Sequence, residues 1–136
     1  MCIRDRPLLG AGSSPEQTLT SLPALRARLE QLTPAGALQH QQIDHVIANY
    51  GLHAEQVLGQ GLDPSDATPL SAVVPVCRAE WRYNIRFEWA KTSADLLERR
   101  SRIAFLDQAE AERLTPAAES LLLESSISPI NHQPKP

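Results

Sequence analysis

The sequence is poor in aromatic residues: two Trp, two Tyr and two Phe in 136 residues. Any core must therefore be built from Leu, Ile, Val and Ala, and 42% hydrophobic residues suffice for one domain of this length. There is no excess of positive charge. Thirteen Lys and Arg stand against sixteen Asp and Glu, a net charge of −3, which argues against a dedicated nucleic-acid binder. No apolar run approaches the roughly 18 residues of a membrane span. Cysteine is scarce. Cys2 and Cys77 lie far apart in unlike contexts, so no disulfide framework is expected and Cys77 reads as a reduced thiol inside a helix.

Recognisable catalytic chemistry is missing too. Gly10-Ala11-Gly12 has no third glycine and opens no strand–turn–helix unit, so it is rejected as an FAD site. His40 and His45 are five apart, which does not put them on one helical face as zinc ligands. The histidines read as solvated or loosely packed. No serine–histidine or cysteine–histidine pattern is present. Glu80 and Glu88 are too far apart for joint acid–base work, since eight residues on a helix span about 12 Å. No catalytic, cofactor-binding or metal-ligating residue is assigned.

What is present centres on residues 77–106. The spacing predicts a helix over 77–90 with two apolar ridges: Cys77, Trp81, Ile85, Trp89, and Ala79, Tyr83, Phe87, Ala90. Two such ridges imply packing on two sides. Between them run Glu80, Asn84 and Glu88 on one side and Arg78, Arg82 and Arg86 on the other. Buried carboxylates need partners. The following helix offers Arg99, Arg100 and Arg102, beginning at Thr92 with Asp95 as an acidic answer to the cap. Leu96, Leu97, Ala104 and Phe105 are its expected core positions. At least one of these arginines is expected to pair with Glu80 or Glu88, and stranding a buried charge would cost about 3–5 kcal/mol.

The remaining pattern is helical as well. A helix over 15–32 is interrupted by Pro23, where its well-formed part should begin. A second helix over 38–50 ends at Gly51, where a left-handed cap is wanted, and a short one over 53–58 ends at Gly59. Residues 59–76 hold two glycines and three prolines without helical period and read as an extended connection. Asp107 caps a further helix that restarts at Thr115-Pro116. The fold class is all-α: a single irregular helical bundle with an extended Pro/Gly-rich connection.

Ala79-Glu80-x-x-Tyr83, Glu88-x-Ala90-x-Thr92 and Asp95-x-Leu97-x-Arg99-Arg100-x-Arg102-x-Ala104-Phe105-Leu106 resemble, in order and spacing, the C-terminal domain of FAD-dependent glycerol-3-phosphate dehydrogenases. Tyr50-Gly51 with Ala54 and Val57 resembles another element of that domain, and Pro7-Leu8-x-Gly10-Ala11 its preceding linker. The resemblance implies a parent that oxidises sn-glycerol 3-phosphate to dihydroxyacetone phosphate through FAD and passes electrons to quinone. It implies a cytoplasmic parent, peripheral at the inner membrane. This chain is expected to be its helical C-terminal domain over 15–124, inactive alone and without cofactor. Its expected partner is the N-terminal FAD and substrate domain, with membrane contact only through the parent and a tendency to self-associate. An oxidase parent, or a free-standing helical module with an arginine-lined face, are the alternatives.

The flanks complete these expectations. Residues 1–6 read as the translated end of a sequencing-library adapter, which would place the natural start elsewhere. Residues 7–14 read as linker and 125–136, polar and proline-rich, as a disordered tail.

Overall fold

A computed structural model of the chain describes residues 8–36 and 38–127. Among these residues the fold is all-α, with no strand. An isolated antiparallel bridge joins Pro69 to Cys77 inside the extended connection. The chain gathers into two compact units, Met1–Glu80 and Trp81–Pro136. The expected adapter segment, and the tail beyond residue 127, lie outside the described residues.

Unit 1 holds α1 (Pro15–Leu32), α2 (Gln39–Tyr50), α3 (Ala54–Leu58) and the first turn of α4 (Arg78–Phe87). Helix α1 starts eight residues before Pro23, not at it. Ser14 accepts the Gln17 N–H as N-cap, and Pro15 takes the first turn, where its missing N–H costs nothing. The helix runs on through the exposed Pro23. It packs on α2 and α3, and Leu25, Leu29, Ile43, Val46, Ala54, Leu58, Cys77 and Ala79 make one apolar core.

The stretch read as linker meets the end of α2. Leu52 N–H donates to the Gly10 carbonyl at 2.8 Å. A Cβ on Gly10 would stand 2.1 Å from the Tyr50 carbonyl oxygen, and one on Gly51 would stand 2.4 Å from the Gly10 oxygen. Both glycines have positive φ (84° and 55°). Gly51 does end α2 as expected, but its ψ of −134° is not that of a left-handed helical cap. It is a conformation that a side chain would strain.

Unit 2 holds the rest of α4, a π-helical segment Asp95–Arg100, α5 (Ile103–Leu106) and α6 (Gln108–Ile127). Its buried side chains include Trp81, Leu96, Leu97, Ile103, Leu114, Ala118 and Leu121. Three expectations are corrected here. First, α4 ends at Phe87 rather than at 90. The Asn84 carbonyl accepts both Glu88 N–H (3.0 Å) and Ala90 N–H (3.1 Å), and Trp89 between them takes φ 61°. Trp89 therefore leaves the apolar ridge and is 79% exposed.

Second, the next helix is broken. Thr92 and Asp95 form the reciprocal cap: Asp95 N–H donates to Thr92 Oγ1 (3.1 Å) and Thr92 N–H to Asp95 Oδ2 (3.0 Å). The chain then widens to π geometry, with Ser101 N–H donating to the Leu96 carbonyl, and turns at Arg102 with φ 58°. That turn resets the register, so Ile103 takes the buried place and Phe105 is left outside. Third, α6 passes through Pro116 without restarting. It continues past the expected tail boundary, with Ser125 and Ser126 hydroxyls donating to the Leu121 and Leu122 carbonyls. Asp107 caps it as expected, accepting Glu110 N–H at 3.0 Å.

Candidate functional site

The Glu of the Ala79-Glu80-x-x-Tyr83 motif sits in the first turn of α4 and is only 2% exposed. A carboxylate there needs donors, and α2 supplies them. His45 Nε2–H stands 3.1 and 3.2 Å from the two carboxylate oxygens, and Tyr50 OH donates to Oε1 at 3.0 Å. The Asn49 amide lies 3.2 Å from His45 Nδ1, one helical turn on. Burial works against a charged His45, but the hydrogen bond and charge of Glu80 outweigh it, so the imidazole titrates above its ordinary value.

The neighbouring thiol is inert. Cys77 is fully buried, and desolvation, then the charge of Glu80, push it up to about 12. Gln42, also fully buried, donates from Nε2 to the Ala67 carbonyl at 2.6 Å. A second buried carboxylate, Asp66, is held by Arg78 Nε (3.1 Å) and Leu62 N–H (2.6 Å). Reading the histidines as solvated missed His45. The signal was its place on α2 beside Asn49 and Tyr50, with an apolar-flanked Glu80 elsewhere requiring a partner.

The five residues proposed for ion pairing fall as follows. Glu80 faces His45 and Tyr50 within unit 1. Glu88 faces Arg100, whose Nε is 3.5 Å from Oε2 and whose guanidinium also donates to the Glu88 carbonyl. Both side chains are about a third exposed, at 34% and 36%, so the pair is not a buried one and the cost of stranding it is smaller than for a buried charge. Arg99 pairs with Asp95 along its own helix. Arg102 is exposed and turns the chain. Of the arginines on α4, Arg78 holds Asp66, Arg82 reaches Glu124 at 3.0 Å, and the Arg86 guanidinium lies over the Phe87 ring.

No group of His, Cys, Asp and Glu among the described residues has metal-binding geometry, and no described helix is long and apolar enough to cross a membrane. The flavin test also fails on geometry. Gly10 is closed against Tyr50 and Gly51, and the Gly12 N–H is already taken by Thr18 Oγ1 at 2.9 Å. A diphosphate has no cradle there. These buried residues form a packed polar core.

Residues 2–125 match the family described as the C-terminal domain of alpha-glycerophosphate oxidase. The chain belongs to this family. The matched stretch takes in most of both units and all the motifs of residues 77–106. Within the family reading, Tyr50-Gly51 and Gly10 are the two sides of one backbone contact. The motif Glu80 is the acceptor of a buried hydrogen-bond cluster, and Thr92 with Asp95 is a helix cap. No curated protein and no solved structure matches the chain.

Proposed function

We propose that this chain is the helical C-terminal domain of an FAD-dependent enzyme that oxidises sn-glycerol 3-phosphate to dihydroxyacetone phosphate. In this reading it packs against the flavin and substrate region of its parent and has no turnover alone. The parent hands electrons to quinone from the cytoplasmic side, peripheral at the inner membrane. The observation that carries the reading is the family match over residues 2–125, together with the absence of any glycine-rich dinucleotide loop in the sequence. In this reading FAD is held by the rest of the parent.

The test is direct. The purified chain is mixed with FAD, desalted, and assayed with glycerol 3-phosphate and an artificial electron acceptor. Colourless protein with no turnover is the expected result. Retained yellow flavin with turnover would overturn the proposal. The family description also favours a second reading, an oxidase parent that delivers electrons to oxygen. Peroxide production by the reconstituted parent, undiminished when quinone is supplied, would select it.

A further inference from the structure

A groove of about 320 Å³ lies within unit 2, between the π-helical segment, α5 and the first half of α6. That volume suits a small ligand with a body of several carbons. The buried Leu97 and Ala111 form its floor, and Ala94 and Ala104 its sides. The backbone explains why the space is left unfilled. The chain widens to π geometry at Asp95–Arg100 and turns at Arg102 with positive φ. Phe105 is sent outward, and the methyl group of Ala104 lines the groove in its stead. Short π-helical turns of this kind recur at functional sites.

The polar lining accepts hydrogen bonds far more than it donates them. Glu98 belongs to the π-helical segment and Glu112 to α6, so carboxylates border the groove from two elements. Among the described residues Glu98 meets no cation, and Glu112 receives the Gln108 amide, Nε2 to Oε1, at 3.2 Å. The Gln108 side chain keeps its carbonyl oxygen as an acceptor. The Thr115 hydroxyl already donates to the Ala111 carbonyl at 2.9 Å, so it too can only accept. Ser93 adds a hydroxyl, and no lining residue is a cation. The arginines nearby in sequence are held by other acids: Arg99 by Asp95, Arg100 by Glu88 and Arg113 by Glu110. Lys91 lies by the Trp89 ring, and Arg102 lines no part of the groove.

An apolar floor bordered by two carboxylates and further acceptors calls for a ligand rich in N–H donors. A primary ammonium brings three donors with its charge. A quaternary ammonium brings none and favours aromatic faces, which this lining lacks. We infer that the groove binds a short aliphatic diamine, with one ammonium on Glu98, the other on Glu112, and the carbon chain against Leu97 and Ala111. The inference is independent of the proposed function. A ligand held between the π-helical segment and α6 stabilises the folded chain by mass action.

The isotope-labelled 136-residue chain is titrated with diaminobutane and followed by amide NMR. The amides of Leu97, Ala104 and Ala111 should shift saturably, and the melting temperature should rise. Combining Glu98→Gln with Glu112→Gln should weaken binding roughly fivefold or more, the sum of two exposed ion pairs. Both side chains are exposed, so the double variant should melt like the unmutated chain when no ligand is present. Glu30→Gln, at an exposed carboxylate of unit 1, should bind as the unmutated chain does. Butylamine, with a single ammonium, should bind more weakly, and tetramethylammonium should not compete. Unchanged affinity in the double variant, shifts spread over acidic surfaces outside the groove, or butylamine binding as tightly as the diamine would overturn the inference. Absence of saturable shifts with diaminobutane would overturn it too, including the case in which vesicles with an aminoethyl headgroup do bind.

Discussion

Single residues in unit 1 set its response to pH and to small changes of volume. His45 binds its proton more tightly in the folded chain than the usual value near 6.5, because Glu80 outweighs the opposing effect of burial. The native state thus holds more protons than the unfolded state in that window. The stability His45 contributes is complete below about pH 6.5 and is lost as pH rises through its folded value. The melting temperature should fall between pH 6 and 8, and His45→Gln should flatten that slope; an equal slope in the variant would refute the assignment. Gly51→Ala meets both a positive φ and the Gly10 oxygen. It should destabilise the chain by about 2–4 kcal/mol in urea unfolding. Neither effect could be read from periodicity. His45 meets Glu80 from 35 residues away, and the partner of Gly10 is some forty residues away.

At the scale of the element, patterns held where a local rule decides and failed where the chain changes direction. Reciprocal capping by Thr92 and Asp95 was legible because it is written within four residues. The α2 terminus at Gly51 and the Asp107 cap were legible for the same reason. The ends of α4 and of the π-helical segment were not. Trp89 and Arg102 both adopt positive φ without being glycine, so no residue type announced the turns, and two short helical pieces read as continuations. Both prolines inside helices misled in the opposite sense, since Pro23 and Pro116 interrupt the hydrogen-bond ladder without ending α1 or α6.

Two measurements address this scale. Thr92→Ala removes one half of the cap and should cost about 1 kcal/mol by thermal or urea unfolding. Asp95 is held well below the usual carboxylate range by the Lys91 N–H first, then by Arg99 and Thr92. Its contribution is present above the ordinary carboxylate value and disappears as pH falls through the depressed one. Asp95→Asn should therefore narrow the gap between stability at pH 7 and at pH 2. Arg100→Ala breaks a partly exposed pair and should cost no more than about 1 kcal/mol. A loss of several kcal/mol would mean the pair is sealed in solution.

For the whole molecule, the helical class and the composition agree, since aliphatic residues and alanine make most of both cores, with Trp81 added in unit 2. The division at Glu80 was not legible, because α4 supplies its first turn to one unit and the rest to the other, and a helix carries no mark of such a change in its own periodicity. The chain leaves Trp89, Phe105, Leu106 and Leu123 exposed in unit 2 and Leu62 and Val73 in unit 1. That much apolar surface should bind a hydrophobic dye and broaden the size-exclusion peak as concentration rises. A sharp, concentration-independent peak that leaves the dye dark would count against an uncovered surface.

The closure of Gly10 on Tyr50 and Gly51 bears on where this domain can be excised. Its working boundary lies ahead of α1, because the turn at Gly10 is stitched to the far end of the next helix. A protease cut or cloning junction placed at Ser13 would look harmless on a map of helices. It would nevertheless unfasten Leu52 and fray the end of α2, so recombinant versions should begin no later than Leu8.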